Sequence, residues 1–163
     1  VKVSNAVVDN RPAPFPAGTY IGEIEDVEER WASEDATLFV RVILANNTPA
    51  DESTDDVGKR THREDICFMY NGDSLMDIDE ITTDTPFLFQ RAAGLLASLA
   101  AATGHADRGD SDVDFDAEAY GALLRGKELN GSKVKFQIRQ RSRTRKDTGE
   151  TIIESQVNKF AAP

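Results

Sequence analysis

The sequence predicts a mainly β domain with helices, an α+β arrangement within 163 residues. Three observations predict it. Runs near both ends of the chain alternate apolar and polar residues. One central segment, 86–104, changes to helical spacing. Clusters of Gly, Pro, Asn and Asp separate these runs. A chain of this length can bury about 70% of its unfolded surface around one core, and 39% of its residues are hydrophobic.

Each element follows in order. Residues 1–17, punctuated by Pro12, Pro14 and Pro16, are expected to form an extended arm, with one domain over 18–163. "TYIGEIEDVEE" alternates as a first strand with Tyr20, Gly22 and Ile24 on one face, and a polar loop carrying Trp31 follows. "TLFVRVILA" is a second strand: Leu38, Val40, Val42 and Leu44 face one way, Phe39, Arg41 and Ile43 the other. An acidic loop over 45–58 leads to a third strand in "KRTHREDICFMY". From Pro86, residues Leu88, Ala92, Leu95, Leu96 and Leu99 recur at helical spacing, with Thr85 as N-cap and Gly104 as stop. The acidic stretch 107–118 reads as a linker and then the cap of a short helix, with Asp116 as cap and Tyr120, Leu123 and Leu124 inward. Two last strands, 133 to about 145 and 150–160, flank the turn "KDTG".

Three strands, a helical insertion and a closing hairpin form the element order of a five-stranded OB-fold-like barrel, an architecture that commonly holds oligonucleotides. The hairpin is its unusual part. The net charge is −10, yet 133–146 holds seven of the 19 Lys and Arg residues and no acid. That leaves 12 basic residues against 29 acidic ones elsewhere. Lys133, Lys135, Arg139, Arg141, Arg143 and Arg145 all fall on one parity, so a strand places them on one side, where alternate residues stand about 6.6 Å apart. Val134, Phe136 and Ile138 point to the core. Beyond them Gln140, Ser142 and Thr144 are too polar to bury, which predicts a ribbon protruding from the body.

A four-residue loop from Lys146 to Gly149 sets the register. It pairs Arg145 with Glu150, Arg143 with Ile152, Arg141 with Glu154, Arg139 with Gln156, Gln137 with Asn158 and Lys135 with Phe160. Cross-strand ion pairs of Arg141 with Glu154 and Arg145 with Glu150 would be an ordinary solvated edge. Two glutamates cannot neutralise seven cations, however, and regular spacing suits the phosphates of an extended strand. The candidate nucleic-acid contacts are therefore Lys133, Lys135, Arg139, Arg141, Arg143, Arg145 and Lys146. Arg41, Phe39, Trp31 and Phe160 are candidate neighbours for charge and stacking.

Four motifs, "FPAGTYIGEIEDVEE", "VGKR", "LLRGKELNGSKVKFQI" and "SQVNKFAAP", occur in that order along most of the chain. In them the chain resembles the OB-fold single-stranded-DNA-binding proteins of bacteriophages. Gly58-Lys59-Arg60 stands where that family has a Gly–Arg step, and the acidic loop before it is longer. The resemblance implies sequence-tolerant coating of single-stranded DNA in phage replication or recombination, without catalysis. It also implies replication or recombination proteins as further partners, in the cytoplasm of an infected bacterial cell.

Other chemistry finds little footing. His62 and His105 are the only histidines, and neither accompanies a nucleophile motif; His62 reads as a strand-surface residue and Cys67 as a small buried hydrophobe. One Cys and two His make no zinc pattern. "DSDVDFDAE" lacks the glycine of a calcium loop, since Phe115 takes its place. No enzyme, metal or cofactor is expected. No apolar run reaches about 18 residues, and with a single cysteine no internal disulfide is possible, so no membrane contact and a reducing compartment are expected. A non-enzymatic interaction or virion protein, using arm and hairpin as clasps on other copies, is the alternative.

Overall fold

The computed structural model describes residues 1–2, 4, 14–32, 36–110 and 112–163. Its main sheet contains β1 (Gly18–Ala32), β2 (Thr37–Pro49), β3 (His62–Tyr70), β4 (Asp73–Ser74), β7 (Lys133–Thr144) and β8 (Thr151–Ala161). Between β4 and β7 lie helix α1 (Phe87–Ala102), a small hairpin of β5 (Asp107–Arg108) and β6 (Val113–Asp114), and helix α2 (Ala117–Arg125). The strand order is β4-β3-β2-β1-β7-β8, antiparallel throughout. The fold is thus mainly β with two helices. Its ladder of backbone hydrogen bonds does not run on from β8 to β3, in contrast to the closed barrel expected.

Alternation builds the core. Val40, Val42 and Leu44 of β2 and Val134, Phe136 and Ile138 of β7 are all buried on one side of the sheet. In β1 the buried parity shifts, from Tyr20 and Ile24 to Val27, because an irregularity lies between Ile24 and Asp26. At Gly22 the pairing partner leaves no room for a side chain: an added Cβ would stand 1.8 Å from Asn47 Oδ1. The buried Asn47 amide donates to Leu44 O and Arg60 O, both at 2.8 Å, which ties β2 to the chain leading into β3.

The strands run beyond their expected bounds. β1 includes Trp31, opposite Leu38, where a loop was expected, and β2 continues to Pro49 through the first five residues of the presumed acidic loop. Helix α1 buries Phe89, Ala92, Leu95, Leu96 and Leu99, while Leu88 is only half-buried. Thr85 is not its cap. Pro86 occupies that position, and the Thr85 hydroxyl instead accepts the Thr82 N–H at 3.0 Å. Gly104, at φ +79°, ends the helix as expected, and the His105 N–H returns to Ala100 O. Asp116 caps α2 through the Ala119 N–H at 3.0 Å. Tyr120 bonds Thr103 at 2.8 Å across the two helices, and burial pushes its phenol up to about 12. The acidic linker does fold in part, as β5 and β6.

The expected arm falls largely outside the described residues. Its last part is not an arm: Phe15 is 3% exposed, with its ring against Tyr20 and His62. Its carbonyl accepts hydrogen bonds from Gln140 of β7 and Ser155 of β8. Phe15 thereby straps the root of the hairpin to β1 and β3. His62 is buried beneath it, not on the strand surface.

Candidate nucleic-acid interface

The β7–β8 ribbon forms because Gly149, at φ +69°, permits a tight return. Gly149 donates to Arg145 O, and Arg145 donates to Glu150 O. From there Arg143 pairs with Ile152, Arg141 with Glu154, Arg139 with Gln156 and Ile138 with Val157, as the turn length dictates. The register then slips by one residue. Gln137 meets Lys159 rather than Asn158, and Phe136, not Lys135, meets Phe160. Phe160 therefore enters the core, 4% exposed, and is no outer-face platform.

β1 accompanies β7 only as far as Ile138. Past that residue β7 has β8 alone for a partner, and Arg139 through Thr144 are exposed. Two ion pairs differ from expectation. Glu154 takes Arg143 at 2.9 Å, not the directly opposite Arg141, a diagonal reach that strand twist favours. Arg145 takes Asp147 within the turn at 3.1 Å.

Where the ribbon leaves the body, it forms one wall of a groove. The first turns of α1 form a second wall, and the outward side of β2 and β3 the third. Two adjoining depressions, of about 530 and 470 Å³, share Phe87, Arg91, Arg141 and Gln156. Phe39, Arg63, Asp65 and Cys67 line one end, and Arg139 and Asn158 the other.

The electrostatics of the groove are set by which charges are already satisfied. Glu64, almost buried, accepts Arg91 at 3.0 Å, lies 3.1 Å from His62 Nε2, and accepts the Val157 N–H. Asp65 is held by Arg41 through two bonds, at 2.9 and 3.3 Å, and lies 3.9 Å from Arg30. That carboxylate holds the Arg41 guanidinium still more firmly protonated than usual. Glu154 is held by Arg143. Every carboxylate lining the groove thus has a cation. Arg63, Arg139 and Arg141 have no carboxylate partner among the described residues. Three guanidinium groups are left to take an anion.

The sequence-derived candidates divide accordingly. Arg139, Arg141 and the half-buried Phe39 come together in the groove. Arg41 stands beside it, engaged by Asp65. Lys133 faces a separate depression with Glu23, Asn46 and Thr48. Lys135 is half-buried, and Arg143, Arg145 and Lys146 lie toward the ribbon tip. Trp31, 47% exposed, is the penultimate residue of β1 and does not line the groove.

The sequence reading missed Arg63, Arg91 and Phe87. Arg63 shares outward parity with Asp65 and Cys67, a pattern visible in "HREDICF". Phe87 is an aromatic directly after the helix-starting proline and off the apolar stripe, which was its available signal. No group of three or more metal-ligating side chains gathers among the described residues. No helix among them is long and apolar enough to cross a membrane. No protein-family model matches the chain, and no curated protein does.

Proposed function

We propose that this chain binds single-stranded DNA without strict sequence preference, along the groove between the ribbon, α1 and β3, and that it performs no catalysis. One observation carries the reading: Arg63, Arg139 and Arg141 converge there with no carboxylate partner among the described residues, on a protein of net charge −10, while each carboxylate lining the groove is engaged. Unpaired guanidinium groups in an open groove suit successive phosphates, which each can clasp with two N–H groups. The acidic remainder would repel a polyanion elsewhere and direct it to this face. A role in phage replication or recombination, with proteins of those processes as partners, follows from the resemblance in the four motifs.

The strand order supports reading the sheet as an OB-type barrel. Strands β3, β2, β1, β7 and β8 adjoin in the order that fold uses, with the helical insertion between β3 and β7. On this reading the seam between β3 and β8 is closed by Glu64, Arg91 and Phe15 rather than by a backbone ladder.

Fluorescence anisotropy with a labelled oligothymidine at two salt concentrations tests the reading. Binding at low salt that weakens steeply as salt rises is expected, because neutralised phosphates release counterions. No binding at low salt, or equal affinity for duplex DNA, would overturn it.

A further inference from the structure

Resting on that reading, we infer that Phe87 is the platform on which the groove stacks an unpaired base, and hence the residue that separates single strands from duplex. Phe87 is 72% exposed, the most exposed of the aromatic rings among the described residues. It belongs to neither side of α1's division of labour: Phe89, Ala92, Leu95, Leu96 and Leu99 fill the core without it. Its surroundings are mixed: Leu88, Ala92 and Leu95 line the depressions beside charged and amide side chains. Arg91, Arg141 and Gln156 share both depressions with it.

A bare aromatic face among guanidinium groups calls for a ligand that is flat and apolar on one part and anionic on another. A nucleotide has both parts, and stacking accepts any base because every base offers a π-face. An acidic peptide would satisfy the arginines but leave the ring wet. The side-chain amide of Gln156 adds a second observation. It is half-buried in the same shared stretch and makes no hydrogen bond to another described residue. Holding both a donor and an acceptor, it can meet the edge of whichever base stacks beside it. Bases in a duplex are already stacked and paired, so they offer Phe87 no face.

Two ligands of equal length and charge test this: oligothymidine, and the same backbone with abasic sites throughout. The wild-type chain, Phe87→Ala and Phe87→Trp are compared by anisotropy. Phe87→Ala is expected to bind oligothymidine about tenfold more weakly with its salt dependence unchanged. It should bind the abasic strand as the wild type does, while Phe87→Trp restores affinity for the base-bearing one. The exposure of Phe87 predicts an unchanged melting temperature for both variants, which separates stacking from folding. Equal behaviour of Phe87→Ala and wild type on oligothymidine would overturn the platform and leave the arginine groove standing. An equal loss on both strands would likewise reject stacking. A wild-type chain that binds neither strand would overturn the groove reading itself.

Discussion

Glu64 of β3 accepts the backbone N–H of Val157 of β8, across the gap where these two strands face each other without a ladder. The same carboxylate receives Arg91 from α1, whose guanidinium also donates to Val157 O. One buried side chain therefore joins the three elements that wall the groove.

Glu64→Ala should be severely destabilising. It strands a buried N–H and a half-buried guanidinium together, and breaking a buried pair in this way costs about 3 kcal/mol or more. Thermal unfolding would show a drop of many degrees. Glu64→Gln keeps an oxygen for Val157 but turns an NH2 donor toward Arg91 in place of the second oxygen, so its melting temperature should fall between those of the wild type and Glu64→Ala.

Charge reversal along the ribbon should not act uniformly. Arg139→Glu with Arg141→Glu is expected to abolish oligonucleotide binding at moderate salt. Lys133→Glu, which alters a separate depression, should leave affinity within about twofold, since a distant charge is screened beyond a Debye length. Measured together by anisotropy, equal losses from both changes would count against the groove.

Gly22→Ala places a methyl carbon on the Asn47 side chain, which is itself buried and bonded to two carbonyls. That side chain cannot yield without breaking those bonds, so the substitution should cost about 2 kcal/mol or more. Urea denaturation would report it as a lower midpoint.

Phe15→Ala removes the ring that contacts Tyr20 and His62 and should cost about 3 kcal/mol. Because the Phe15 carbonyl also orients Gln140 and Ser155, the root of the ribbon should loosen. The expected readout is a lower melting temperature accompanied by weaker oligonucleotide binding, although Phe15 itself lies outside the groove.

Acid should weaken the tie between β1 and the turn after α2. Lys127 bonds the Asp26 carboxylate at 2.7 Å and the Val27 N–H bonds it at 2.9 Å, holding its pKa below the usual value of 3.8. A depressed folded pKa means that the contribution is complete above 3.8 and fades as pH falls through the folded value. Comparing urea midpoints of the wild type and Asp26→Asn down through that range should show a steeper loss in the wild type.

Much of the sheet was legible because alternation is a local property. β2 carries four apolar residues on one parity and β7 three, and all seven are buried, although Ile43 and Ala45 of β2 are buried on the opposite parity as well. The hairpin register was legible as far as Val157 because loop length fixes it. It was lost at Phe160 because a single extra residue in β8 reverses parity, and no residue type announces that slip. The groove was the least legible part. Phe39, Arg63, Phe87 and Arg141 are brought together only by the path of the chain, and the pairing of Asp65 with Arg41 or Glu154 with Arg143 depends on side-chain reach that spacing does not encode.

The amides of Val157 and Phe160 donate to side chains, Glu64 and Ser98, where most strand amides donate to a neighbouring strand. A ladder bond opens only when two strands part, whereas these open whenever one side chain changes rotamer. In native-state hydrogen exchange the two amides should therefore lose their protons well before those of β2, at a free energy below that of global unfolding. The last strand would then breathe independently of the rest of the sheet, giving the molecule a built-in place to admit a ligand without unfolding.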